Sequence, residues 1–361
     1  MDINRLLANL PPLSNNKKTI EDALASYGGF ITANSFGNIT LSKENIAEID
    51  SLCKNIILAN RAFQRGQIIE CYNRILEELE PGRYSYPIFK TYEKDKDTFF
   101  YRMRACDGEY LYSKEELFHI PFEKRQKISN QRFSLSGYPC LYLGSSIYVC
   151  WEELNRPQID NANIVGVKLC RPIKLIDLRI PLEIQDITDY YRIPLIIACS
   201  VLVREPMSPY KPEYVISQAL LHALIYMNNK QVKSFGYNGI IYYSSRLRSP
   251  QRFFLNDDLF ENIVIPTINN TQDPNAEVIY QDGFCPVLCN TFELTEPISL
   301  NKYRLCKDVK TVYVPFYGGL EEDAYQKTIL KELEDYIQRQ STFKITPCEF
   351  FRLNPDLLSQ Y

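Results

Sequence analysis

Arg132, Tyr142 and Glu153 lie along the stretch Gln131-Arg132-Phe133-Ser134-Leu135-Ser136-Gly137-Tyr138-Pro139-Cys140-Leu141-Tyr142-Leu143-Gly144 and its continuation to Trp151-Glu152-Glu153. A guanidinium, a phenol and a carboxylate thus stand around one Gly/Pro turn, where a short hairpin-like unit could aim all three at one ligand. Arginine suits phosphate because its planar fork donates two parallel hydrogen bonds and keeps its charge at any relevant pH. Arg102 and Arg104, in Phe99-Phe100-Tyr101-Arg102-Met103-Arg104, and Arg132 all sit in or beside apolar, strand-like runs. A guanidinium there is costly to desolvate, so each is either paired to a carboxylate or pointed at an anion. Tyr142 falls ten positions after Arg132, and Glu153 eleven after Tyr142. Taken alone, those positions also fit a core tyrosine with its hydroxyl satisfied and a pair of helix-start carboxylates at Glu152 and Glu153.

Several chemistries are disfavoured. Neither GxGxxG nor GxxxxGK[ST] occurs, so a bound nucleotide must be held by side chains. Eleven cysteines without a CxxC, with His119 and His222 as the two histidines, predict no metal site. Such cysteines read as small buried residues of a reducing compartment. With 41 basic and 44 acidic residues and a net charge of -3, nothing attracts nucleic acid or anionic lipid globally, and any phosphate binding must be local. Met1-Asp2-Ile3-Asn4-Arg5-Leu6-Leu7 is not a basic region leading into a long apolar run, and no 18-residue apolar segment follows. The expectation is a cytoplasmic protein with no membrane contact. His119, in Leu117-Phe118-His119-Ile120-Pro121-Phe122, could serve as a base near neutral pH, but its loop-like apolar setting predicts a packing or hydrogen-bonding role.

The positioning elements follow from periodicity. At 361 residues, more than one structural unit is expected. Ser42 predicts a helix cap with Glu44 and Asn45 in the first turn, and Ile46, Ile49, Leu52, Ile56 and Ile57 recur at helical spacing. A second stripe runs from Ile68 to Leu79 and ends at Pro81-Gly82. From Thr98 the runs become strand-like: Phe99 to Arg104, Cys140 to Leu143, Ile164 to Leu169, Lys174 to Leu178 and Gly239 to Tyr243, with a helical pattern over Tyr214 to Leu224. Residues 269–275 read as a loop, and a helix is expected around Glu321 to Gln338. Strands and helices mix without strict alternation, which predicts an α+β fold. The expected organisation is an N-terminal helical region over 1–85, a central domain over 86–265, and a C-terminal extension over 266–361 packed on it.

Tyr101-Arg102, Arg132-Phe133, Gly137-Tyr138-Pro139, Leu141-Tyr142-Leu143 and Glu153, followed far downstream by Gly239-Ile240-Ile241-Tyr242-Tyr243-Ser244-Ser245-Arg246, form one ordered set. In that order and spacing the central region, roughly residues 98 to 265, resembles the RES domain family, named for an arginine, a glutamate and a serine and known chiefly as toxins of bacterial toxin-antitoxin pairs. Glu152 stands beside Glu153 and Ser245 beside Ser244, and the chain is much longer than the compact toxins. The resemblance implies a fold similar to ADP-ribosyltransferases with a mixed, mainly antiparallel sheet, and NAD as the substrate. The implied reaction is cleavage of the nicotinamide-ribose bond by water or phosphate; transfer of ADP-ribose to a protein and a non-catalytic NAD-binding module are the alternatives. Carried over residue by residue, Glu153 would stabilise the cationic ribose, Tyr142 and then Tyr242 would stack on nicotinamide, and Arg102 and Arg132 would clamp the pyrophosphate. Ser244 would hold the carboxamide or a ribose hydroxyl, and Arg246 would contribute to binding. The implied partner, besides NAD, is an antitoxin or other regulatory protein.

Overall fold

Ser42 and Asn45 close a reciprocal capping box, the Ser42 Oγ accepting from the Asn45 N–H at 3.1 Å and the Asn45 Oδ1 accepting from the Ser42 N–H at 3.0 Å. This starts the second of three N-terminal helices, α1 (Ile20–Ala33), α2 (Lys43–Gln64) and α3 (Ile68–Glu78). Down α2, Ile49, Leu52, Ile56 and Ala59 form the buried stripe expected of an amphipathic helix. The structure is a computed structural model that describes residues 11, 18–33, 39–106, 110–181, 184–229, 236–245, 257–267, 278–279, 283–307, 325–346 and 351–352.

The central sheet runs β1 (Lys90–Lys94), β5 (Ile173–Asp177), β6 (Gly239–Tyr243), β7 (Glu261–Pro266), β3 (Cys140–Gly144), β2 (Phe99–Ala105), β4 (Ala162–Leu169), β9 (Phe292–Thr295) and β11 (Thr342–Lys344), with β10 (Ile298–Ser299) also on β4. The pair β5–β6 is parallel, and the other neighbours on that path are antiparallel. The fold is α+β, with the N-terminal helices preceding a mixed, mostly antiparallel sheet. A separate two-stranded ladder joins β8 (Val278–Ile279) to β12 (Phe351–Arg352). Because β9 and β11 continue the ladder from β4, the segment after residue 266 widens the central sheet.

Side chains alternate between the sheet's faces. Tyr101, Met103, Ile164, Ile240 and Val264 belong to the apolar cluster formed with α1, α2 and α3, α4 (Ile147–Glu153), α5 (Ile187–Ser200), α6 (Val215–Asn229) and α9 (Ile329–Gln338). Phe100, Leu141, Leu143, Val165, Val167 and Ile263 form the other cluster with Leu117, Phe118, Phe122 and residues of α7 (Pro286–Thr291). A short helix α8 (Leu300–Lys307) follows β10. Among the described residues no helix is long and apolar enough to cross a membrane.

α5 and the C-terminal helix are among the elements that depart from the periodicity. α5 was not expected: it is buried from Asp189 to Ser200, and Pro194 sits inside it. A helix buried all round shows no amphipathic stripe, and an internal proline reads as a stop. The Asp186–Asp189 capping box at its start is the signal the sequence did carry. The C-terminal helix begins at Ile329 behind the cap Thr328, and residues 321–324 lie outside the described residues.

Candidate active site

Glu152 and Glu153 close α4 instead of opening it; the helix starts behind Ser146, whose Oγ accepts from the Val149 N–H at 3.0 Å. Carboxylates at a helix C-terminus face its negative end, so both need donors from elsewhere. Glu152, 3% exposed, takes its donors from Arg156, whose Nε lies 3.0 Å from Glu152 Oε2. That pair also holds Asn155 and Arg156 in left-handed conformations, φ 62° and 56°, where non-glycine residues are rare. Glu153 takes different partners: Ser244 Oγ at 2.5 Å and Asn262 Nδ2 at 2.7 Å, both on Oε1. The two neighbours are thereby separated, Glu152 committed to the turn and Glu153 to a cavity.

The helix sits close because Gly144 ends β3: a Cβ there would meet Cys150 Sγ and Val149 Cγ1 at 2.6 Å. Glu153 lines a cavity of about 500 Å3 together with Arg102, Arg132, Tyr142, Tyr242, Ser245, Asn262, Lys211 and Tyr214. Register explains much of this grouping. On β7, Asn262 faces Tyr242 of β6 and Gly144 of β3, while Val264 faces Tyr142. Tyr142, Tyr242 and Asn262 therefore share one face of adjoining strands.

Strands β2 and β3 share a single register pair, Tyr101 with Gly144, so the sheet loosens between them. Arg102 bridges that place, its Nη1 donating to the Tyr142 carbonyl at 3.0 Å. Burial, with Arg104 adding repulsion, lowers its pKa to about 10. Arg132, 7% exposed, donates to the carbonyls of Cys199 at 2.7 Å and Val201 at 3.0 Å, at the end of α5, and to Ser245 Oγ at 2.7 Å. Its guanidinium also lies 5.0 Å from the centre of the Tyr214 ring. Neither arginine forms an ion pair among the described residues. With Lys211 they are cations lining the cavity, and for Arg102 the desolvation is offset by the Tyr142 carbonyl.

Tyr142 donates its hydroxyl to the Phe133 carbonyl, and burial raises its pKa well above that of a free phenol. It is therefore a ring with a satisfied hydroxyl and cannot act as a base near neutral pH. The Tyr242 ring packs on Phe133 at 4.8 Å between centres.

Residues 100–277 match the family model described as RES domain. The chain carries a RES domain. A curated protein of Bacillus subtilis (strain 168) named "Putative toxin YopC" is 35% identical over 265 residues, covering 66% of this chain and 56% of that protein. The chain thus spans little more than half the length of that relative. No solved structure matches it significantly.

Within the RES domain the expected residues converge unevenly. Arg102, Arg132, Tyr142, Tyr242 and Glu153 line one cavity. Ser244 stands behind Glu153, 1% exposed, and it is Ser245 that reaches the cavity wall and Arg132. Arg246 lies outside the described residues. His119 is elsewhere, fully buried, with Nδ1 2.8 Å from the Ile120 carbonyl and Nε2 accepting from the Cys285 N–H at 2.9 Å. Burial lowers its pKa to about 4, so it stays neutral as a structural acceptor. Among the polar residues lining the cavity, Asn262 and Lys211 are not expected from the sequence. Asn262 had a signal: a buried strand opening on Glu261-Asn262 before Ile263-Val264-Ile265 must satisfy both polar groups. Glu261 does so with Lys94 at 2.9 Å and with Arg179. Lys211 sits in a segment between α5 and α6 with no periodic pattern to place it.

Proposed function

We propose that the RES domain cleaves the nicotinamide-ribose bond of NAD, by water or by phosphate, and that the chain acts as a toxin-like protein through NAD depletion. The observation that carries this reading is the presence, in one cavity, of a carboxylate that accepts from Ser244 and Asn262 and of two guanidiniums that have no counter-ion among the described residues. A dinucleotide supplies the matching charges: a pyrophosphate for the arginines and a site of developing positive charge for the carboxylate.

In the reaction the bond from ribose C1′ to the pyridinium nitrogen breaks, and its electron pair returns to the ring, releasing neutral nicotinamide. Positive charge appears at C1′ and the ring oxygen. Glu153 stabilises it, and Ser244 and Asn262 fix the carboxylate so that little reorganisation is needed. Arg102 anchors the pyrophosphate; Arg132, already bonded to the end of α5, ties the pocket wall together and adds its charge. The Tyr142 ring, with Tyr242 beside it, offers a face to the cationic pyridinium. Water then adds at C1′ and gives up a proton, yielding ADP-ribose; phosphate would yield the 1-phosphate. The relative's toxin name supports the biological half of the reading. Incubating purified chain with NAD and following free nicotinamide, with and without phosphate, tests it; absence of release under both conditions rejects it. A fixed label on protein from labelled NAD would instead assign the same site to ADP-ribose transfer.

A further inference from the structure

Beyond the residues matched by the RES family, α9 reaches the helix that carries Glu153. Glu334, in the middle of α9 and 4% exposed, accepts the backbone N–H of Ile147, the first residue of α4, at 2.7 Å. Tyr325, 1% exposed, donates its hydroxyl to the same carboxylate and packs its ring 6.3 Å from that of Tyr148. One turn further along α9, Gln338 Nε2 donates to the Tyr101 hydroxyl at 2.7 Å. The seating is close: a Cβ on Gly166 of β4 would stand 2.5 Å from Ile337 Cγ2, so a side chain there would displace α9.

We propose that Glu334 is a positioning residue for Glu153: from the C-terminal extension it fixes the start of α4 and thereby the place of the carboxylate at the other end. This rests on the reading of Glu153 as the group beside the reacting sugar. A helix of seven residues does not hold its own conformation in isolation, so its ends must be fixed by their surroundings. The far end is fixed by Arg156 on Glu152, and the near end by the Ser146 cap together with Glu334. The buried carboxyl accepts from both the Ile147 N–H and the Tyr325 hydroxyl, with Lys331 Nζ 3.7 Å away, so its oxygens are committed to joining α9 to the start of α4. Burial pushes the Glu334 pKa up to about 7, with Tyr325, the Ile147 N–H and Lys331 opposing and Asp335 adding to it; Tyr101 and Cys150 also face it.

The full chain is tested as Glu334→Leu, which removes both acceptors, and as Glu334→Gln, which keeps one at the same reach. Nicotinamide release by Glu334→Leu is expected to lose about tenfold or more in kcat with KM for NAD within about twofold. Glu334→Gln is expected to recover kcat to within about threefold of the parent. Unchanged kcat in Glu334→Leu, or a loss shared equally by Glu334→Gln, overturns the proposal. Should Glu334→Leu not fold, Gly166→Ala displaces α9 from the sheet side, and an unchanged kcat there overturns it equally. Hydrogen exchange of the α4 amides is followed in parallel. If the parent itself releases no nicotinamide, the site reading fails separately, and unchanged α4 protection in the variants then overturns the positioning role as well.

Discussion

Arg102 is the residue at which binding and stability pull apart. Its pKa is lowered by burial and, among the described residues, it donates to the Tyr142 carbonyl, so removing the charge relieves desolvation while deleting an anion contact. Arg102→Met is expected to raise KM for NAD about tenfold or more while leaving the melting temperature unchanged or slightly higher; a large loss of stability would instead make Arg102 a structural residue. Ser244 and Asn262 both donate to one oxygen of Glu153. Ser244→Ala and Asn262→Ala should each lower kcat about tenfold or more with a smaller change in KM, because each loosens the carboxylate without touching the pyrophosphate contacts. At this scale the sequence was legible where residue type and spacing coincide, as for Arg132, Tyr142 and Glu153. It was less so where two like residues adjoin. For Glu152 and Glu153 the sequence offers the eleven-residue interval from Tyr142, and the structure separates them through Arg156; Ser244 and Ser245 are told apart by which way the chain turns after β6.

At the scale of elements, α2 and β6 follow from their caps and runs, whereas α5 is hidden by burial on all sides and by Pro194. α4 reverses the expectation of helix-start carboxylates at Glu152 and Glu153: the helix ends on them. The segment around His119 makes a separate prediction. The His119 pKa falls from 6.5 to about 4 in the folded state, so the unfolded chain takes up a proton there first as acidity rises. The stability it contributes is complete above pH 6.5 and is lost as the pH falls from 6.5 towards 4. A shift of that size from burial corresponds to about 3 kcal/mol as an upper bound. Urea midpoints measured across that window should fall more steeply for the parent than for His119→Gln; parallel slopes would show that His119 does not titrate with unfolding.

Over the whole molecule, the N-terminal helices are bound to the centre by buried polar contacts as well as apolar ones. Tyr27 donates to the Tyr190 carbonyl at 2.9 Å, and Asn45 to the Tyr191 hydroxyl at 3.0 Å, both in α5. Since α5 also supplies the carbonyls that hold Arg132, removing residues 1–85 should expose α5 and α6 and yield an aggregating or unfolded product with no nicotinamide release. A soluble, active remainder would show the helices to be an appendage. The sequence could mark this region as helical, but its partner lies over a hundred residues away and was not legible. The most direct measurement is nicotinamide release from NAD by the purified full chain beside Glu153→Gln, a change that keeps shape and removes charge. Release by the parent is expected, with a fall of about a hundredfold or more in the variant and its melting temperature within a few degrees. Equal rates in the two proteins, or none from the parent with or without phosphate, would contradict the proposed role of Glu153.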